Sequence, residues 1–205
     1  DADKRQEAFL EYRQMLEIAE SIENKVWCPD ELYLKLGGAA VFLGLLTDSI
    51  HAFEESLKWD RYYIEGRYIL ALQYDTLSQV TESIEPLYAS FANAGIVCDL
   101  LKYHAYYKPE YFKCAIETGM RLYSLTENQA VLEKTNELSF IVAKSAPIND
   151  QYEKLIQDVS KLTAKDKKLH DLSRAFLLVY GFRKGSVQSG QAEAEINSMA
   201  GISAE

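Results

Sequence analysis

From Asp30 onward the chain repeats itself at an interval of 34 residues. Glu31 returns as Glu65, Leu36 as Leu70, Gly37 as Ala71, Ser49 as Ser83, Ile50 as Ile84, Ser56 as Ser90 and Leu57 as Phe91. A unit of this length cannot bury its own apolar face, so a chain built from such units must stack them on one another. The apolar spacing divides each copy into two short helices, over residues 31–45 and 48–59, then 62–77 and 81–94. Two helices cross closely where small side chains sit at the crossing and a large one fills the gap, which predicts a close contact of Gly37 with Ser49. Pro86 falls inside the fourth of these helices and should kink it.

The flanking sequence is helical too. Phe9, Tyr12, Leu16, Ala19, Ile22 and Val26 recur at spacings of three and four, giving a first helix over residues 3–25, which Pro29 interrupts. Asp30 is placed to cap the helix that follows. Beyond the repeats, Phe112, Ala115, Ile116, Gly119 and Leu122 mark the apolar face of a helix over 109–125. Leu132, Leu138, Ile141 and Val142 mark that of its partner over 128–146. A further pair covers 148–162 and 163–182, with Thr163 and Asp166 spaced as a capping box and Gly181 and Gly185 as terminators. Residues 186–205 are small and polar. They read as a tail, or as a short helix over 191–199 that caps the stack.

Composition agrees with an all-α fold. Only 10 Gly and 4 Pro leave little material for the tight turns of a sandwich or barrel, and 48% hydrophobic residues over 205 positions suffice for a core without disulfides. The apolar stretch from Leu34 to Leu46 is too short to cross a bilayer, which takes about 20 residues. Cytoplasm or nucleus is the expected compartment, with any targeting segment lying ahead of Asp1. Cys28, Cys98 and Cys114 are odd in number and lack metal-ligand spacing, so buried thiols are expected. A net charge of −9 disfavours nucleic acid and anionic lipid and favours a partner of basic character.

The repeats resemble the tetratricopeptide repeat (TPR) family over residues 30–97. With Asp30 as the first position, the first unit supplies Tyr33, Leu36, Gly37, Ala40, Ser49, Phe53 and Ser56, with Gly44 at the turn. The second supplies Leu70, Ala71, Tyr74, Ser83, Leu87 and Ser90. Ala40 stands where the family has an aromatic, Arg67 where it has a large apolar residue, and Arg61 and Gly95 where Pro often ends a unit. The resemblance implies a right-handed stack of antiparallel helix pairs, an α-solenoid, over a single domain of residues 1–185. An N-terminal helix and C-terminal capping helices would complete it. It also implies a concave groove lined by Glu31, Leu34, Gly38, Val41 and Phe42 from the first unit and by Glu65, Tyr68, Leu72, Asp75 and Thr76 from the second. Such a groove is apolar with an acidic rim. Leu34 and Gly38 replace the Lys and Asn with which chaperone-binding members clamp a terminal carboxylate, so that ligand is not expected here. The alternative is that the terminal helices cover these side chains.

Catalytic signatures are missing. His51, His104 and His170 stand apart with no metal-ligand spacing. No phosphate-binding glycine loop or nucleophile elbow occurs, so neither metal nor cofactor is expected. The basic and aromatic run Arg61, Tyr62, Tyr63, Arg67, Tyr68 and the run Lys161, Lys165, Lys167, Lys168 are interleaved with Asp60, Glu65, Asp166 and Asp171, which reads as packing and solvated charge rather than a nucleic-acid platform. The sequence therefore predicts a non-enzymatic adaptor or scaffold that holds a basic or amphipathic protein segment, alone, as a homodimer or within a larger complex. The competing expectation is a helical enzyme or nucleic-acid-processing module, with a polar pocket around His104.

Overall fold

The computed structural model describes residues 2–21, 30–102 and 108–199, and all regular structure among them is helical. Ten α-helices follow in order: α1 (Ala2–Ser21), α2 (Asp30–Leu43), α3 (Leu46–Trp59), α4 (Ile64–Thr81), α5 (Ile84–Leu101), α6 (Pro109–Thr126), α7 (Gln129–Ser145), α8 (Asp150–Leu162), α9 (Lys167–Lys184) and α10 (Ser189–Ser198). A 3-10 turn, Thr163–Lys165, precedes α9. The readings placed on Ile22, Val26, Cys28, Pro29 and His104 lie outside the described residues. The chain divides into two compact units, Asp1–Leu100 and Leu101–Glu205.

In the first unit each helix packs on the next in antiparallel fashion, α1 on α2, α2 on α3 and α3 on α4. Hydrogen bonds join α4 to α5, from Ser90 Oγ to the Ala71 carbonyl at 2.8 Å and from Arg67 Nη1 to Asn93 Oδ1 at 3.1 Å. Ile50, Phe53, Leu57 and Leu70 form the core between α3 and α4, with Leu34, Val41, Tyr74 and Leu77 packed around it. At Gly37 the close contact is with the Phe53 ring rather than with Ser49, because an added Cβ would lie 3.0 Å from Phe53 Cε2. Ser49 bonds elsewhere, to the Leu46 carbonyl at 2.8 Å and to Gln73 Oε1 at 3.2 Å.

The two repeats differ in length by one helical turn. Gly44, at φ 71°, ends α2 after 14 residues. The equivalent position in the second repeat is Ser78, which tolerates the helix and donates to the Asp75 carbonyl at 2.7 Å. α4 therefore runs on for 18 residues, until Glu82 adopts a left-handed conformation at φ 53°. α5 consequently starts at Ile84, later than the repeat spacing predicts. Pro86 thus falls in its first turn, where a missing N–H costs no helical bond, instead of kinking its interior.

In the second unit α6 packs on α7 and α8, α7 on α8 and α9, α8 on α9, and α9 on α10. Phe112, Ala115, Ile116, Leu122, Leu132, Leu138 and Val142 are all buried, as their spacing requires, while Ile141 is half-buried. Asn128 caps α7 by accepting from the Ala130 amide at 3.0 Å, and Asn149 caps α8 by accepting from Tyr152 at 3.0 Å. At the other end of α7 the Arg183 guanidinium donates to the Ala143 and Ala146 carbonyls, both at 2.8 Å, and so satisfies orphan acceptors. The cap of α9 is Asp166 alone, which accepts from Leu169 at 3.1 Å. Thr163 is buried in the preceding turn and pairs with Ser173 Oγ at 2.8 Å, so it takes no part in a capping box.

Gly185, at φ 77°, terminates α9 in a Schellman motif, with Ser186 N donating to the Gly181 carbonyl at 2.9 Å and Gly185 N to that of Phe182 at 3.0 Å. Gly181 does not end the helix. It is buried within it and makes room for the returning chain, since a Cβ there would lie 2.8 Å from Val187 Cγ2.

Candidate interaction groove

The first-unit residues of the groove expected from the sequence, its first half, lie on α2, against which α1 packs. Phe9 and Leu16 fix α1 through buried faces, Leu16 packing with Leu32 and Tyr33 of α2. The Tyr33 hydroxyl donates to the Glu20 carboxylate. Burial first, then that bond and its negative charge, push the phenol above its ordinary pKa. Beside this contact a cleft of about 350 Å³ is lined by Arg5, Ala8 and Tyr12 from α1 and by Leu34, Lys35, Gly38, Ala39 and Phe42 from α2. Phe42 is 68% exposed, and the Arg5 guanidinium sits 4.7 Å from its ring centroid, within cation–π range.

The residues of this half do not act as one surface. Leu34 and Val41 are half-buried against the core of α3 and α4, and Glu31 is exposed in the first turn of α2. Arg5 and Lys35 flank the cleft, so its charge differs from the acidic rim that α2 alone suggests. Sequence spacing does not reveal Arg5, Ala8, Tyr12 or Lys35 as lining residues, because their role comes from how α1 lies on α2. The one available signal is the apolar face of α1, which requires that this helix be covered by something.

The second half is a stripe along α4. Glu65, Tyr68, Leu72, Asp75 and Thr76 recur at helical spacings of three and four and share one face. Leu70 is buried on the far side of the helix from Leu72, and Ala71 and Ser78 are buried along the packed flank. Glu65 is exposed and Tyr68 half-buried. Leu72 stays 37% exposed although the core beneath it is filled by its neighbours. Asp75 accepts from Gln79 Nε2 at 2.7 Å, and Thr76 Oγ1 donates to the Leu72 carbonyl at 3.0 Å, so both polar side chains are held to the helix. α2 approaches α4 at Gly66. A Cβ at Gly66 would lie 3.5 Å from Leu34 Cδ2, next in sequence to Glu65.

The remaining chemistry-bearing residues are scattered. His51 is exposed on α3, while His170 is half-buried on α9 with Nδ1 at 3.1 Å from the Ser160 carbonyl. Cys98 is buried and Cys114 half-buried, and neither is in a disulfide. Among the described residues, no group of three His, Cys, Asp or Glu side chains is placed to hold a metal ion. Nor is any helix among them long and apolar enough to cross a membrane. The basic runs are engaged locally: Arg61 lies over the Tyr62 ring at 5.2 Å, and Lys161 pairs with Asp158 at 2.8 Å.

Compared with known proteins, the chain matches no family model, and no curated protein matches it significantly.

Proposed function

We propose that this chain is an interaction adaptor of tetratricopeptide-like build, which holds a protein segment along the α4 stripe and the adjoining α1–α2 cleft. The carrying observation is Leu72, an apolar side chain left 37% exposed between Glu65 and Asp75 on a helix whose other face already fills the core. Such a stripe matches an amphipathic segment with an apolar anchor and basic flanks. The overall charge of −9 supports the same partner chemistry through long-range attraction. Further support comes from the sequential antiparallel pairs and from the Gly37–Phe53 crossing, which are the packing that stacked repeats require.

The test compares wild type with Leu72→Arg by crosslinking and mass spectrometry, after circular dichroism has shown that both are folded. The wild type should capture a partner whose crosslinks fall on α4, and the variant should lose that partner. Undiminished capture by Leu72→Arg would remove the α4 stripe as the working surface.

A further inference from the structure

We infer that the recess between α3, α4 and α5 is a second binding site, which takes a carboxylate carried on a small apolar group and holds it through the Arg67 guanidinium. The recess has a volume of about 310 Å³, with Leu57, Leu70 and Ala89 as its apolar lining and Arg67 and Asn93 among its polar groups. It opens on the side of α4 opposite Leu72, so the inference is independent of the adaptor reading.

Arg67 is held in place by neutral acceptors only. Its Nε donates to the Arg61 carbonyl at 2.6 Å and its Nη1 to Asn93 Oδ1 at 3.1 Å. Asn93 is fixed in turn by donating from Nδ2 to the Ala89 carbonyl at 2.9 Å. Among the described residues no carboxylate lies within ion-pair distance of the guanidinium. An arginine carries five N–H donors, so most of the fork remains available in an orientation already set, which suits bidentate capture of a carboxylate. Partial burial lowers the Arg67 pKa, an effect that the negative charge of Asp60 opposes. A bound anion would offset that cost of burial.

Lys58 and Glu54 are the other charged groups lining the recess. Lys58 pairs with Glu55, and Glu54 accepts the Tyr74 hydroxyl. Arg67 is the cation of this lining without a carboxylate at ion-pair distance, which fits a single negative charge, while the unneutralised Glu54 carboxylate opposes a dianion such as phosphate. The apolar lining asks for hydrocarbon next to the carboxylate. An acidic side chain of a partner protein and a free organic acid both offer that chemistry.

The experiment follows the Arg67 Nε–H and Asn93 side-chain amide signals of the isotope-labelled full chain by NMR during titration with phenylpropionate, phenylpropanamide and inorganic phosphate. Phenylpropionate should shift both signals, and the amide should bind roughly tenfold or more weakly, the effect of a lost charge-assisted pair. Ala89→Leu fills the recess without touching the Arg67–Asn93 bond and should abolish the shifts. Arg67→Lys, which keeps the charge but not the fork, should weaken binding. Capped Leu-Glu-Leu binding more tightly than phenylpropionate, and more tightly than capped Leu-Gln-Leu, would make the source a partner's acidic side chain; the reverse order would make it a free acid, and either result supports the site. Absence of shifts, equal binding of acid and amide, phosphate binding as tightly as the acid, or full binding by Ala89→Leu would each overturn it.

Discussion

Gly37 and Gly38 are adjacent in α2, yet the structure gives them opposite roles. A Cβ at Gly37 would stand 3.0–3.1 Å from three atoms of the Phe53 ring, which is itself only 2% exposed and has no room to retreat. A Cβ at Gly38 would meet nothing within 4 Å. Replacing either with Ala removes the helix penalty of glycine, worth up to about 1 kcal/mol, but at Gly37 overpacking of about 1–3 kcal/mol opposes that gain. Gly38→Ala is therefore expected to stabilise the protein by roughly 0.5–1 kcal/mol and Gly37→Ala to destabilise it by about 1 kcal/mol, as read from urea unfolding. Equal effects at the two positions would show that the α2–α3 crossing is looser than the structure has it. Sequence reading does find Gly37 as the small position of the repeat. It cannot name Phe53 over Ser49 as the opposing group, since that depends on the rotation of α3 about its own axis.

At the scale of the element, what was legible follows from periodicity and what was not follows from termination. The apolar faces of α6 and α7 are those expected, because their spacing is dictated by a single buried side. The length of α4 is not legible in the repeat interval, which carries over each helix end from one copy to the next. Ser78 lacks the left-handed freedom of Gly44, and nothing forces the helix to end until Glu82. The same displacement moved Pro86 into a first turn, where it is harmless. Of the candidate groove residues, helical spacing alone puts Glu65, Tyr68, Leu72, Asp75 and Thr76 on one face of α4, whereas the packing of α1 on α2 cannot be read from the spacing of either helix. Glu82 and Glu127 close α4 and α6 at φ 53° and 51°, a conformation costly for any residue with a Cβ. Glu82→Gly and Glu127→Gly are each expected to add roughly 0.5–1 kcal/mol of stability, the usual preference for glycine at a left-handed helix terminus. Glu127 also lies 3.8 Å from Lys165, but both side chains are largely exposed, so that ion pair subtracts little. Chemical denaturation of the two variants checks both, and a loss of stability at either site would mean that its carboxylate carries a contact worth more than the strain.

For the whole molecule, the division at Leu100 and Leu101 has a consequence for folding. The second unit carries its own core in Phe112, Ile116, Leu122, Leu132, Leu138, Val142, Ile156 and Val159, all but wholly buried. Its helix termini are closed from within, α7 by Arg183, α8 by Asn149 and α9 by the Schellman turn at Gly185. Tyr180 adds a further internal tie, accepting from the Asn149 amide at 2.7 Å and donating its single proton to the Asn149 carbonyl at 2.8 Å, with the Pro147 carbonyl farther off at 3.2 Å. A segment that supplies both its core and its caps meets the conditions for a separate cooperative unit. Residues 101–205 expressed alone should accordingly keep their helical circular dichroism and unfold in one sigmoidal urea transition. Tyr180→Phe should destabilise that fragment by about 0.5–1.5 kcal/mol, because it removes the buried hydroxyl that ties α9 to the part-buried Asn149 backbone. A fragment 101–205 that is unfolded, or one whose transition is broad and insensitive to Tyr180→Phe, would mean that the second core closes only in the presence of the first unit.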